Sequence, residues 1–314
     1  MWLALVVAGI SLWNCVGAPS TAYASQTASV SSVLKSIAAA PKIVILPSNL
    51  TPSLEEFVNA DAASDLSGVH VFASCDPYAD VALATRPAPC FFGDLHSSKT
   101  IAIVGDSNVG NWVPALSLGL KGAGYRLAVF GYPGCPTPFL TYSNLGDQQT
   151  RECNLWHERV PQAIRALDPI ALIAAAGASD QEGISNSTWI AGFKKLFTKS
   201  TGPTTIRILM GTSPIFLGLE PPECLSAHDN PQRCALSVKG SVYATYLARD
   251  PKIARAAKAF LIPTEPWFCV SDKCETVVSH YLTFADGDHV TTAFSNYLAP
   301  VVTAAVLARI SQTS

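Results

Sequence analysis

Short apolar segments alternate with amphipathic helical patterns along most of the chain. Strand patterns occupy residues 100–105, 125–131, 170–176, 204–211 and 259–264. Helical patterns occupy residues 109–122, 156–167, 188–199 and about 240–261, and a last helix follows at 292–311. This alternation predicts βαβ units, and therefore an α/β fold in which helices cover both faces of a mostly parallel sheet. The segments 170–176 and 206–210 are almost wholly apolar, as strands buried on both sides are.

The composition restricts the kinds of partner that the chain can bind. Of its 314 residues, 14% are charged and 49% are hydrophobic, and the formal net charge is −2. The chain is long enough to bury a large core. Because it has no cluster of Lys or Arg, it lacks the basic surface that nucleic acid requires. A neutral small molecule or a glycan is the expected partner.

The first residues have two interpretations, which both place the remainder outside the cytoplasm. Residues 1–17 are largely apolar, and no charged side chain precedes Lys35. The small-x-small pattern at 22–24 favours a secretory signal peptide over residues 1–24. The length of the apolar stretch instead approaches that of a membrane anchor. The sequence leaves both open.

Composition also predicts the domain boundaries. Residues 25–40 are rich in Ser, Ala and Thr, which predicts a flexible spacer. Residues 41–97 have many prolines and little periodicity, and we expect an irregular extension that contains a disulfide and packs on the main domain. The main domain is expected at 98–314.

Cysteine usage agrees with export. Beyond Cys15 the chain has an even number of cysteines, which suggests disulfides in an exported protein. We predict nearest-neighbour pairs, because each would close a loop between regular elements. These pairs are Cys75–Cys90, Cys135–Cys153, Cys224–Cys234 and Cys269–Cys274. Neither a C-x2-C pair nor a spaced His pair occurs, so the sequence predicts no metal site.

A Gly-Asp-Ser turn ends the first strand of the main domain. The turn places the hydroxyl of Ser107 at the carboxyl end of a central strand, where open α/β sheets bind their ligands. A serine there either caps the following helix or acts as a nucleophile. As a nucleophile it needs a base within hydrogen-bond reach, because a hydroxyl is weakly reactive until its proton is accepted.

His289 is the best candidate base among the six histidines. It follows Asp286 by three positions, just before the last helix. That spacing lets two side chains meet on one side of a turn, which favours Asp286 over Asp288 as the orienting carboxylate. We therefore interpret Asp288 as a solvated capping residue. Ser107, His289 and Asp286 form a candidate Ser-His-Asp triad.

Together these motifs resemble the SGNH (GDSL-type) hydrolase superfamily. The resemblance is closer to the SGNH domains that follow integral-membrane acyltransferases in bacterial envelope proteins. It spans about residues 46–311 and rests on separated stretches. They are 46–54, Cys90 with 93–94, 105–107 with 111–114, 134–136, and Cys269 and Cys274 before Asp286-x-x-His289. The resemblance implies a three-layer α/β/α fold with a flavodoxin-like central sheet.

Acyl transfer also needs donors for the developing oxyanion. The backbone N–H of Ser107 is one expected donor, and a glycine N–H after the second strand, Gly134 or alternatively Gly131, is another. The superfamily supplies a third from the Asn of a Gly-x-Asn-Asp block. Here the corresponding block reads Gly-Ala-Ser-Asp, with Ser179 in the place of Asn. Either Ser179 or Asn108, which stands where related domains often have His, is the expected substitute.

The resemblance implies an extracytoplasmic serine enzyme of a bacterial cell envelope, secreted or membrane-anchored. Its substrate would be an acylated carbohydrate or glycolipid. The acyl group would pass to water, as in an esterase, or to a sugar hydroxyl, as in an O-acyltransferase. A separate membrane acyltransferase would be a partner, and no cofactor is implied. The alternative is a non-catalytic SGNH module that binds glycans or serves an acyltransferase.

Overall fold

The computed structural model describes residues 28–57, 65–75, 82–175, 177 and 184–312, with the side chains of residues 74 and 75 not described. The predicted signal peptide or anchor at 1–24 and Ser179 lie outside this part of the chain. Among the helices of the described residues, none combines the length and the hydropathy that crossing a bilayer requires.

A six-stranded sheet occupies the centre of the fold. Its strands are β1 (Cys90–Gly93), β2 (Thr100–Gly105), β3 (Arg126–Gly131), β4 (Ala171–Ala175), β5 (Ile206–Met210) and β6 (Phe260–Ile262). They lie in the order β1-β3-β2-β4-β5-β6, and only β1 is antiparallel to its neighbour. The five parallel strands therefore follow the flavodoxin-like order, in which the direction of winding reverses beside the first of them. The predicted fold class is confirmed.

Two helical layers cover the sheet. One layer contains α1 (Val30–Ala39), α2 (Val113–Ala123), α6 (Thr292–Tyr297) and α7 (Ala299–Ser311). The other contains α3 (Asp147–Ala166), α4 (Asn186–Ser200) and α5 (Val242–Ala257). Shorter helices lie at Ala82–Thr85 and Pro221–Ala227, and short strands at Leu236–Ser237, Cys269–Val270, Lys273–Cys274, Val277–Val278 and Tyr281–Leu282.

The central strands are mostly apolar because both faces of the sheet are covered. Along β2, Ile101 and Ile103 pack against the layer that contains α2, whereas Ala102 and Val104 pack against the layer that contains α3. Every residue of β2 is buried. This central position fixes the end of β2, which carries the candidate nucleophile, within the most constrained part of the fold.

Two segments are more regular than their composition predicts. Residues 30–39 were expected in a spacer but form α1, because the Ser29 side chain caps the helix and Val33 and Ile37 are buried in the core. Residues 90–93 were expected in an irregular extension but form β1, which pairs with β3. Helix α3 also begins earlier than expected, since its first turns are polar and show little apolar periodicity.

The disulfides of the described residues follow the nearest-neighbour prediction. The structure contains Cys135–Cys153, Cys224–Cys234 and Cys269–Cys274. The pair Cys75–Cys90 stays a prediction, because the Cys75 side chain lies outside the described part. Structural disulfides persist in oxidising compartments, which agrees with an extracytoplasmic location.

Candidate active site

The candidate nucleophile lies in a tight turn at the end of β2. The carboxylate of Asp106 accepts the N–H of Asn108 at 3.0 Å and begins a 3-10 helix at Ser107–Asn111. The chain passes so close to β4 that a Cβ added at Gly105 would lie 2.0 Å from the carbonyl oxygen of Ala175. Glycine is therefore required two residues before the serine. The site lies where the strand order reverses, the usual ligand position in this architecture.

Asp286 and His289 meet across the turn that precedes α6. One oxygen of Asp286 accepts the backbone N–H of His289 at 2.7 Å and that of Asp288 at 2.9 Å. Its other oxygen lies 2.8 Å from Nδ1 of His289. One carboxylate thus shapes the turn and orients the imidazole.

The tertiary structure brings the three predicted residues into one chain of contacts. Nε2 of His289 lies 2.8 Å from Oγ of Ser107. Burial lowers the pKa of His289, but the hydrogen bond to Asp286 and the negative charge of Asp288 outweigh burial and raise this pKa to about 9. Burial acts to raise the pKa of Asp286, yet its hydrogen bond to His289 holds that pKa below the ordinary value.

The interpretation of Asp288 as a solvated capping residue is wrong. Its Oδ1 lies 3.3 Å from Nδ1 of His289, and its Oδ2 accepts a hydrogen bond from Nδ2 of Asn108 at 3.1 Å. Only 36% of its side chain is exposed. Burial raises the pKa of Asp288 above its ordinary value. The Asp-Gly-Asp-His sequence contained the signal, since it offers the histidine two carboxylates.

Asn111 joins the nucleophile turn to the histidine turn, and sequence reasoning gave it no role. The residue is 1% exposed. Its Oδ1 accepts the N–H of Val290 at 2.8 Å. Its Nδ2 is within hydrogen-bond distance of Asn108 Oδ1 (2.9 Å), Ser213 Oγ (3.0 Å) and the Asp288 carbonyl oxygen (3.1 Å). One buried amide therefore fixes both halves of the site.

The buried carboxylate of Asp106 holds the nucleophile turn in place. The side chain is 4% exposed, and it accepts the N–H of Gly177 at 3.1 Å, just after β4. The hydroxyl of Thr137 lies 3.1 Å from its other oxygen. Burial raises the pKa of Asp106 despite these donors. Loops after three strands thus converge on the residue that precedes the serine.

In the described part of the chain, two of the expected oxyanion donors have an unused N–H group, and a third candidate already makes a hydrogen bond. Neither the N–H of Ser107 nor that of Gly134 has an acceptor among the described residues. Gly134 has a φ of +72°, and its carbonyl oxygen accepts Nε2 of Gln149 at 2.9 Å. Asn108 uses one of its two amide N–H groups to bind Asp288, and its role as a substitute donor stays a prediction. Ser179 lies outside the described residues, so its role stays a prediction.

Two clusters in the described part of the chain have side chains of the kinds that bind metals. In the first, Cys135 and Cys153 form a disulfide beside His157, so their sulfurs are not available as thiolates. In the second, Asp286, Asp288 and His289 contact one another, and His289 also contacts Ser107. We therefore assign a metal to neither.

Comparison with known proteins identifies the family. A family model, the SGNH domain (fused to AT3 domains), matches residues 74–304. The chain belongs to this SGNH family. The match begins before residue 98, so it includes β1. Among curated proteins, none matches this SGNH chain in sequence.

Solved structures are similar to this chain at low sequence identity. The periplasmic domain of a lipopolysaccharide acetyltransferase from Salmonella ser. Paratyphi A is 15% identical, with a TM-score of 0.60 over 77% of this chain and 96% of that one. TesA is 16% identical, with a TM-score of 0.40 over 69% of this chain and 100% of that one. The prediction of an SGNH-type enzyme that acts on ester bonds is confirmed at the level of the family.

Proposed function

We propose that this chain is an extracytoplasmic serine enzyme that transfers acyl groups through Ser107, His289 and Asp286. The observation that carries the proposal is the continuous contact from Ser107 Oγ to His289 Nε2, 2.8 Å, and from His289 Nδ1 to Asp286, 2.8 Å. It lies at the carboxyl edge of the sheet, where a bound ester can reach the serine.

The first half of the reaction forms an acyl-serine. Ser107 Oγ attacks the acyl carbonyl while Nε2 of His289 accepts the hydroxyl proton. The resulting oxyanion accepts hydrogen bonds from the N–H groups of Ser107 and Gly134. When the intermediate collapses, the bond to the leaving alkoxy oxygen breaks, and that oxygen takes the proton from His289. Asp286 keeps the imidazole oriented and stabilises its charged form.

The second half releases the acyl group. A water molecule or a sugar hydroxyl attacks the acyl carbon while it gives its proton to Nε2 of His289. The bond between the acyl carbon and Ser107 Oγ then breaks, and His289 returns the proton to that oxygen, which restores the Ser107 hydroxyl. Water gives an esterase and a sugar gives an O-acyltransferase. The outcome depends on whether the site holds an alcohol and excludes water. Ser179 is proposed as a third oxyanion donor in both halves.

The proposed substrate is an acylated cell-envelope carbohydrate or glycolipid. Membership of a family whose domains are fused to AT3 domains supports this class and supports a separate membrane acyltransferase as acyl supplier. The likeness in fold to the periplasmic domain of a lipopolysaccharide acetyltransferase points the same way. The disulfides support an extracytoplasmic location, either secreted or anchored.

A non-catalytic glycan-binding module, or one that serves an acyltransferase as a partner, is the second candidate. The serine at position 179, where the superfamily block has an amide, favours it. Loss of one oxyanion donor typically costs about 3–4 kcal/mol of transition-state stabilisation. Such a loss would leave a domain that binds acylated sugars but reacts only slowly with their ester bonds.

A serine-reactive fluorophosphonate probe separates the two candidates. We expect it to label the native chain and Ser311→Ala, which changes an exposed serine at the end of α7, but not Ser107→Ala. p-Nitrophenyl acetate turnover should fall about a thousandfold or more in Ser107→Ala. Oligosaccharide acceptors are then added, and the products are identified by mass spectrometry. Released acetate indicates an esterase, and acetylated sugar indicates an O-acyltransferase. Labelling and turnover that persist in Ser107→Ala would remove this serine from the reaction.

A further inference from the structure

A second carboxylate contacts the imidazole, and a three-residue triad does not account for it. Asp288 Oδ1 lies 3.3 Å from His289 Nδ1, on the same ring nitrogen that Asp286 contacts at 2.8 Å. A neutral imidazole with Nε2 facing the serine has one Nδ1 proton, so both carboxylates lie around a single donor. Their mutual repulsion would separate them unless other groups held them in place.

Asn108 holds the second carboxylate. Its Nδ2 donates a hydrogen bond to Asp288 Oδ2 at 3.1 Å, and its Oδ1 accepts a hydrogen bond from Nδ2 of Asn111 at 2.9 Å. Asn108 is 4% exposed and cannot turn freely. A Cβ added at Gly177 would lie 2.1 Å from Asn108 Nδ2, so the loop after β4 closes over the same amide. The amide therefore has a fixed direction, which is toward Asp288.

We propose that Asp288, held by Asn108, is a second positioning carboxylate for His289, so that two carboxylates orient the imidazole through Nδ1. Asn108, which follows the nucleophile, thereby fixes the position of Asp288, which precedes the base. Asp288 touches no reacting atom, and its effect passes through His289. The kinetic part of the proposal rests on the proposed function, but the geometric part does not.

The electrostatic surroundings of His289 agree with this role. The ionisable groups that act on it are Asp286, Asp288 and Asp106. Glu220 stands beside the two carboxylates of the turn and adds a further negative charge there. An imidazolium in this position is stabilised by several carboxylates, so removing one should weaken it by a measurable amount.

The first test measures the His289 titration directly, without catalysis. In the full chain, the imidazole resonances of His289 are followed by NMR against pH for the native protein, Asp288→Asn and Asn108→Ala. We expect Asp288→Asn to lower the pKa of His289 by about one unit or more, because an opposite charge in contact typically shifts a pKa that far. Asn108→Ala should lower it less, since the carboxylate stays but is no longer held.

Glu158→Gln is the matched charge control, because Glu158 is exposed on α3, across the sheet from the layer that contains α2 and α6. We expect it to leave the His289 titration unchanged. A His289 pKa that is the same in Asp288→Asn as in this control would overturn the proposal, whatever the enzyme catalyses. The labelling experiment on Ser107 tests the proposed function separately, so the two failures are distinguishable.

The second test is a double-mutant cycle on kcat/KM with Asp286→Asn and Asp288→Asn. If either carboxylate can orient the imidazole, the double variant loses about tenfold more activity than the product of the single losses. The pH profile of Asp288→Asn should also move to lower pH. Multiplicative losses with an unmoved profile would show that Asp288 only supports the turn, and would reject the proposal.

Discussion

His289 Nε2 and Ser107 Oγ lie 2.8 Å apart although the residues are 182 positions apart in the chain. The serine follows β2, and the histidine follows the short strand at Tyr281–Leu282. Nothing local in the chain brings these residues together. The contact exists because Asn111, four residues after the serine, binds the backbone on both sides of the histidine.

The activity should rise with pH up to about pH 9. A base must be neutral to accept the serine proton, and the pKa of His289 is raised to about 9 by the hydrogen bond to Asp286 and the charge of Asp288, against the effect of burial. Below that pH, kcat/KM should therefore increase about tenfold per pH unit. The measurement is a profile from about pH 6 to 10. The rate of Ser107→Ala is subtracted at each pH as a blank for spontaneous hydrolysis. A plateau that is already reached near neutral pH would contradict the expectation.

Asn111→Leu should impair both activity and stability. The change leaves the N–H of Val290 and the carbonyl oxygen of Asp288 without their partner in a buried site, which typically costs about 2–4 kcal/mol of unfolding free energy. We also expect kcat to fall about a hundredfold, because the histidine turn loses its attachment to the nucleophile turn. Asn230→Ala removes the side-chain cap of the 3-10 helix at Pro231–Arg233, outside the nucleophile and histidine turns, and should lower stability without lowering kcat. Urea unfolding and ester hydrolysis measure the two effects, and equal kcat values in both variants would refute the role of Asn111.

Gly105→Ala should destabilise the fold strongly. The new methyl group would meet the carbonyl oxygen of Ala175 at 2.0 Å, and neither strand can move within the central sheet. We expect a loss of about 1–3 kcal/mol or more. Gly122→Ala is the matched control, because no heavy atom lies within 4 Å of its Cβ position on the exposed side of α2. It should raise the unfolding free energy by about 0.5–1 kcal/mol. Denaturant melts that rank the two variants in the opposite order would contradict this packing argument.

Removal of the Cys135–Cys153 disulfide should reduce both stability and turnover. The bond closes a loop of sequence separation 18 and lies next to Gly134, a proposed oxyanion donor. Cys135→Ser with Cys153→Ser should cost about 2–4 kcal/mol of unfolding free energy. Since the Gly134 N–H is then less firmly placed, kcat should also fall. The paired change Cys224→Ser with Cys234→Ser should lower stability alone, and a fall in kcat there would show that the loss is not specific to the oxyanion loop.

Local patterns in the sequence predicted the elements and the chemistry of individual residues. Apolar runs marked β2, β4 and β5, because strands buried on both faces are built mostly from apolar side chains. The Gly-Asp-Ser turn identified Ser107, and the three-residue spacing identified Asp286 and His289 as partners, since both patterns depend on neighbours along the chain. The helix at 30–39 escaped prediction, because its stability comes from burying Val33 and Ile37 against distant elements.

The sequence by itself thus determined the order of strands and helices and the identities of the candidate triad. Only the tertiary structure decided that Asp288 faces His289, that Asn108 is committed to Asp288 and that Asn111 fixes both turns. These contacts join residues far apart in the chain, and their directions depend on how the strands are ordered in the sheet. Hydrogen bonds of this kind have no local pattern, because either partner alone resembles an ordinary polar residue in a loop.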